Sequence, residues 1–324
     1  MIKPYKLSVS KKTLNEIYKK VKNYPWNLIQ NVNGWEYGTN YHYLKNISKY
    51  WASKYNWNKY EKKINSFSNY KTKVNGLNIH FIKEKSKNPK SRPLLLLHGW
   101  PGSVIEFLDI IPKLAHPEKF GGKKYDGFDV IVPSLPGFGF STPIKKAMGP
   151  REIGKVLNKL MVKNLGYKNY AVQGGDWGAT IAGWIGCDSS KNCKAIHINC
   201  LPLRHPKGPL NKNEKKWETK FIKDQITEEG YRTQQATKPQ TLSYAMFDSP
   251  VGTAAWILEK FHGWSDLRKS NIQKIYSKDL LLTNIMIYII TKSFDTASWI
   301  YFGRRKEGGR AFPNNFKKIM TPTA

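Results

Sequence analysis

The stretch Tyr170-Ala-Val-Gln-Gly-Gly-Asp-Trp-Gly-Ala-Thr-Ile-Ala-Gly-Trp184 reads as a short buried strand, a glycine-tight turn and a helix of small residues. A strand-to-helix turn flanked by glycines is strained enough to push one side chain out over a sheet. In Gly174-Gly175-Asp176-Trp177-Gly178 that side chain is Asp176. A carboxylate with an ordinary pKa near ~4 is ionised at neutral pH, so it can attack a carbon without a base beside it. A base is needed later, to bring in water. Taken alone, the same residues also fit a Gly-Asp turn or a helix cap, and the rest of the chain decides between the two.

Working outward, Phe128–Val132 and Arg92–His98 are continuous apolar runs, as expected of strands covered on both faces. Tyr70–Val74 and Leu77–Lys83 alternate and are joined by Asn75-Gly76, a strong hairpin signal. Ser103 and Glu106 form a capping box expected to open a helix through Leu114. Pro150 with Ile153, Val156, Leu157, Leu160, Met161 and Leu165 predicts an amphipathic helix, and Ala195–Leu201 one more strand. Strands alternating with helices make a parallel sheet with ligands at the carboxyl ends of the strands.

Ahead of this core, residues 8–24 have helical spacing behind Ser10, and from Tyr24 to about Phe67 an aromatic-rich polar stretch reads as a meander wrapping a larger core. Behind it, from Pro202 to about Ile300, the pattern is helical and aromatic, as expected of a lid. The expected division is therefore 1–69 (N-terminal meander), 70–201 (α/β core), 202–303 (helical lid) and 304–324 (start of a returning core segment).

The 324 residues carry a formal charge of +31 and are 40% hydrophobic and 13% aromatic, which excludes a disordered chain. The lysines run evenly from Lys3 to Lys318 with no nucleic-acid signature beside them, so attraction to acidic lipid is the expected consequence rather than nucleic-acid binding. Cys187, Cys193 and Cys200 are too few for a disulfide framework and lack zinc spacing; reduced thiols, no metal and no cofactor are expected. No run approaches the ~20 apolar residues of a membrane span, and the N-terminus lacks the apolar region of a signal peptide.

Three separated motifs, His98-Gly99-Trp100-Pro101-Gly102-Ser103, Pro136-Gly137-Phe138-Gly139-Phe140-Ser141 and Gly174-Gly175-Asp176-Trp177-Gly178, together resemble the microsomal-type epoxide hydrolases of the α/β-hydrolase fold, a group that includes juvenile hormone epoxide hydrolases. Trp35–Asn40, Gln235–Pro239, Asp248–Gly252, Ile257–Phe261 and Leu281–Asn284 extend the resemblance over nearly the whole chain. It implies an α/β-hydrolase fold with a mostly parallel sheet, an aromatic N-terminal meander and a helical lid. It also implies hydrolysis of lipophilic epoxides, in hormone catabolism or detoxification at the endoplasmic reticulum. Asp176 would be the nucleophile, the N–H groups of Trp100 and Trp177 the oxyanion hole, and Tyr231 and Tyr301 the donors to the epoxide oxygen. Its partners would be small lipophilic epoxides and water, with peripheral contact to an acidic membrane surface and no nucleic acid.

The family's acid and histidine follow its lid, and the sequence leading to the acid would begin near Met320–Ala324. The expectation is thus a C-terminally truncated family member, missing its last core strands and impaired in turnover, with neither His262 nor Asp295 taking the base's place. Two other readings stay open: a haloalkane dehalogenase, which shares an Asp-Trp elbow, and a non-catalytic binding protein for a lipophilic epoxide.

Overall fold

The computed structural model describes residues 1–200, 203–313 and 319–324. The end of the strand expected through Leu201, the start of the expected lid at Pro202 and part of the 304–324 segment therefore lie outside the described residues. Seven strands form one sheet: β1 (Lys3–Pro4), β2 (Asn69–Val74), β3 (Leu77–Glu84), β4 (Arg92–Leu97), β5 (Phe128–Pro133), β6 (Tyr170–Gly174) and β7 (Cys193–Ile198). Their order is β1-β2-β3-β5-β4-β6-β7. The sheet is mixed. It is antiparallel from β1 through β3 to β5 and parallel through β5, β4, β6 and β7. The β2–β3 hairpin turns at Asn75 and Gly76, both at positive φ, as a two-residue turn that follows the strands' twist requires.

Asp129 through Pro133 are all buried, and successive strand residues point to opposite faces, so β5 is covered on both sides. The same holds for Leu95–Leu97 in β4. Burying such side chains contributes roughly 1.5–3 kcal/mol each, which makes the parallel half the anchor of the fold. Beyond β7 the sheet continues: Ile196 donates to the Pro322 carbonyl at 2.9 Å, and Thr323 pairs with Ile196 in parallel.

The helices are α1 (Lys11–Lys22), α2 (Tyr41–Ser53), α3 (Trp57–Asn65), α4 (Ile111–Ala115), α5 (Pro150–Lys159), α6 (Trp177–Asp188), α7 (Lys212–Gln225), α8 (Gly230–Thr237), α9 (Pro239–Asp248), α10 (Pro250–Gly263), α11 (Ile272–Ile275), α12 (Lys278–Ile290) and α13 (Phe294–Lys306). Four of them differ from the sequence reading. The stretch read as a meander holds α2 and α3, each capped by an asparagine, Asn40 and Asn56, whose side chain accepts a backbone N–H. The helix expected from Ser103 through Leu114 is instead a 3₁₀ turn over Val104–Phe107 followed by α4. Pro112, which has no N–H to continue a helix, sits in the first turn of α4. The helix begun at Pro150 widens into a π turn over Leu160–Asn164.

Two compact units result. One comprises residues 1–5, 67–240 and 295–324 and holds the sheet with α4–α8 and nearly all of α13; the other comprises 6–66 and 241–294. In the second unit α1 buries Leu14, Ile17 and Val21, and α12 is buried on nearly every side. Asp279 accepts hydrogen bonds from Tyr50 at 2.7 Å and Tyr60 at 2.9 Å, and His262 stacks on Trp35 at 3.7 Å. Residues 241–294 of the helical block thus group with the N-terminal helices rather than with 203–240.

In the first unit α6 packs on β4, β6 and β7. Its closeness depends on Gly178, where a Cβ would run into the backbone carbonyl of Leu97. Overpacking of this kind costs about 1–3 kcal/mol. Gly178→Ala should therefore lower the thermal midpoint by several degrees, and an unchanged melting curve would show that the helix is not seated by this contact.

Candidate active site

Asp176 closes β6 and precedes α6, and its backbone takes φ 50°, ψ −120°, a region that non-glycine residues avoid. Such a conformation costs on the order of 1–3 kcal/mol and persists only where the surroundings enforce it. Gly99 is one of those surroundings, since a Cβ there would meet the Asp176 carboxylate. The loop carrying Gly99 is fixed in turn by His98, which is buried at the end of β4. Its Nδ1–H donates to the Gly99 carbonyl at 3.1 Å, and its Nε2 accepts the Leu135 N–H at 3.2 Å. With both ring nitrogens engaged in the neutral form, burial holds the His98 pKa down to about 4.

That loop delivers the Trp100 N–H to Asp176 Oδ1 at 2.8 Å, and the Trp177 N–H lies near enough to the carboxylate to lower its pKa. The two donors expected to form an oxyanion hole are thus brought together on the carboxylate itself. With Oδ1 held, Oδ2 is the oxygen left to form a new bond. One side of Asp176 is open to solvent while protein encloses the others. The enclosure pushes its carboxyl above the ordinary value, and the two N–H groups and the positive charge of Arg304 pull it back. Water on its open side tempers the rise.

Tyr231 on α8 and Tyr301 on α13 meet over the tryptophans. Tyr231 stacks on Trp100 at 5.3 Å and 10°, while Tyr301 stands edge-on to Trp177 at 4.7 Å and 88°. Their rings are 5.6 Å apart, edge to face, and each hydroxyl acts on the other's pKa. Burial, then neighbouring negative charge, drives both phenols above their usual pKa, so both keep their protons and act as donors. The buried indole N–H of Trp177 approaches the Tyr301 hydroxyl without the geometry of a full hydrogen bond.

Two further residues belong to the site that the sequence reading did not assign there. Arg304, one helical turn after Tyr301, lies 5.0 Å over the Trp177 ring; burial, then the charge of Arg232, lowers its pKa to about 10, which leaves it cationic at neutral pH. Its spacing of three from Tyr301 was the available signal. Glu106, read only as a cap, accepts the Ser103 N–H at 3.1 Å. The protein around it, then the charge of Asp176, pushes its carboxyl up to about 8, a rise that its solvent-facing side tempers.

A strained carboxylate under two backbone donors, facing a pair of protonated phenols, can attack an electrophilic carbon whose leaving oxygen the phenols protonate. Arg304, after the two backbone N–H groups, helps to keep that carboxylate ionised. Removing a nearby opposite charge shifts a carboxyl by roughly 1–3 pKa units, so Arg304→Met should move the acidic limb of the pH–rate profile for Asp176 alkylation upward by about one unit or more. An unmoved limb would remove Arg304 from this role.

Comparison with known proteins follows the same lines. Residues 2–107 match the family model described as epoxide hydrolase N terminus, and residues 92–249 the one described as alpha/beta hydrolase fold. The chain is 38% identical to a putative epoxide hydrolase of Stigmatella aurantiaca, covering 95% of this chain and 71% of that protein. It is 34% identical to epoxide hydrolase 1 of Oryctolagus cuniculus, covering 99% and 77%. The crystal structure of juvenile hormone epoxide hydrolase from Bombyx mori superposes with a TM-score of 0.79 at 34% identity, over 100% of this chain and 79% of that one.

Proposed function

We propose, for a chain that belongs to the epoxide hydrolase family of the α/β-hydrolase fold, a reaction in which Asp176 opens a lipophilic epoxide and is itself esterified. Hydrolysis of an epoxide to a diol consumes one water, and the two half-reactions divide it between them. Asp176 Oδ2 attacks an oxirane carbon, the C–O bond breaks, and Tyr231 and Tyr301 hydrogen-bond the departing oxygen and protonate the alkoxide. The charge of Arg304 favours any phenolate that forms. Water, giving up a proton, then adds to the ester carbonyl carbon, and the negative charge that develops on Oδ1 meets the N–H groups of Trp100 and Trp177. Collapse of this adduct breaks the bond between the acyl carbon and the substrate oxygen, which takes a proton and leaves as the diol while the Asp176 carboxylate re-forms. The observation that carries this reading is the 2.8 Å bond from Trp100 N–H to Oδ1, which holds the future carbonyl oxygen in its donor site before reaction.

The second half-reaction needs a base to deprotonate water. Around Asp176 stand Trp100, Trp177, Arg304, Cys200, the two protonated tyrosines and Glu106, whose carboxyl, pushed up to about 8, keeps its proton at neutral pH. His80 is held by Ser134 and Asn69, His98 by Gly99 and Leu135, and His116 by Glu84. We infer that these 324 residues form the ester faster than they release it. General-base help is typically worth ~10²–10⁴-fold. Intact-mass spectrometry after exposure to a lipophilic epoxide should show one lasting adduct of the epoxide's mass, absent in Asp176→Asn and reduced in Tyr231→Phe. Sustained diol production without an adduct would overturn the stalled half-reaction, and halide release from a haloalkane would redirect the reading to dehalogenation.

No helix among the described residues is long and apolar enough to cross a membrane. We propose that the chain is either cytoplasmic or held peripherally at the endoplasmic reticulum surface by its +31 charge. Screening shortens such attraction to about 3 Å at molar salt, so a high-salt wash should release it from microsomes; retention in the pellet would argue for an apolar anchor.

A further inference from the structure

Beside the nucleophile, Trp177 and Tyr301 form one end of a cavity of about 840 Å³ lined wholly by residues of the sheet-bearing unit. Its wall is unusual in two respects. It carries five arginines, Arg204, Arg232, Arg304, Arg305 and Arg310, against two glutamates, Glu218 and Glu229. It is also apolar along α7 and just beyond, where Ile222 and Ile226 are 59% and 72% exposed and Phe221 is half-buried. Large exposed aliphatic side chains on a cavity wall are where an apolar ligand gains most from leaving water.

The arginines are not spread at random. Arg232 and Arg304 stand with the tyrosines. Arg204 and Arg310 are brought side by side by their backbones: the Arg204 N–H donates to the Arg310 carbonyl at 2.9 Å, and Arg204 pairs with Ala311 in a parallel bridge. Both guanidinium groups lie over the Phe221 ring, at 5.5 Å and 5.4 Å. Two cations over one ring repel each other; partial burial lowers the pKa of Arg204, and the charge of Glu218 raises it. Among the described residues Arg310 has no ion pair to offset this. An anion seated between the two would relieve the repulsion and accept paired N–H donors from each.

We propose that this end of the cavity binds the carboxylate of the substrate, so that the preferred epoxides are amphipathic acids whose chain runs along Phe221, Ile222 and Ile226 to place the oxirane at Tyr301. This rests on the epoxide reading and names its substrate class. The carboxylate belongs at Arg204 and Arg310 rather than at Arg304, because Arg304 already acts on Asp176 and a second anion there would repel the nucleophile. A cavity of this volume takes a ligand of drug or fatty-acyl size.

The test pairs an ω-epoxy fatty acid with its methyl ester, following alkylation of Asp176 by intact mass, and dodecanoate with methyl dodecanoate, following binding by calorimetry. The acid should alkylate at least tenfold faster than the ester, and dodecanoate should bind at least tenfold tighter than its ester. Arg310→Met and Arg204→Met should each bring both ratios close to one while leaving the methyl esters unchanged, which also reports that the variants fold. If either fails to fold, the acid-to-ester ratios of the unaltered chain decide. Equal rates and equal binding for acid and ester would overturn the proposal while leaving epoxide opening intact. If no epoxide alkylates Asp176 but dodecanoate still binds tighter through Arg204 and Arg310, the carboxylate site stands and the epoxide reading fails.

Discussion

A carboxylate held at a backbone position it would not choose is the constraint on which the sheet-bearing unit is arranged. Asp176 at φ 50° is stable only because β6 delivers the chain to that point, α6 carries it away, and the loop after β4 closes over it. Each of these depends on an absent side chain or a spent one. Gly178 lets α6 lie against Leu97, Gly99 leaves room for the carboxylate, and His98 uses both ring nitrogens to hold the loop. The strain and the catalytic geometry have the same cause, since the turn that tilts Asp176 out also aims the Trp177 N–H at it.

Charge follows from that placement. An anion partly withdrawn from water raises the pKa of every acid near it, and Glu106, Tyr231 and Tyr301 all show the effect. The consequence is ordered rather than uniform: the phenols keep protons they can donate, while Asp176, with two N–H groups and Arg304 to favour its anion, is the acid best supported as the nucleophile. Arg304 is held in turn by the face of Trp177 rather than by a carboxylate. Its charge therefore stays available to the site instead of being neutralised locally.

Much of this was legible beforehand, and the limits are physical. The strands were read because fully covered strands are continuous apolar runs, and the elbow because three glycines within five residues have few other uses. Trp100, Trp177, Tyr231 and Tyr301 were named from a resemblance, and the structure brings all four around Asp176. Arg304 was not read, because one arginine among 54 basic residues carries no signal of its own. Helices α2 and α3 were hidden for a different reason: aromatic residues on several faces blur the 3.6-residue period that Asn40 and Asn56 would otherwise have announced. The grouping of 241–294 with the N-terminal helices leaves no trace in composition, which is continuous across Gln240.

The +31 charge becomes intelligible once the acids are located. Asp129 accepts from the Ser86 N–H, the Ser91 hydroxyl and the Tyr167 hydroxyl. Glu61 accepts from the Val9 N–H and the Trp57 indole, Asp279 from two tyrosines, and Glu307 from the N–H groups of Arg151 and Glu152 at the start of α5. These carboxylates serve as acceptors for donors that burial would otherwise leave unsatisfied. Lys20 with Asp248 and Lys146 with Glu152 are pairs whose partners are both substantially exposed, and such pairs are worth little; the buried Lys260 instead pairs with Glu259. The acids hold the interior together and the surface is left cationic, which is why net charge pointed away from the site while the small set of arginines inside one cavity points into it.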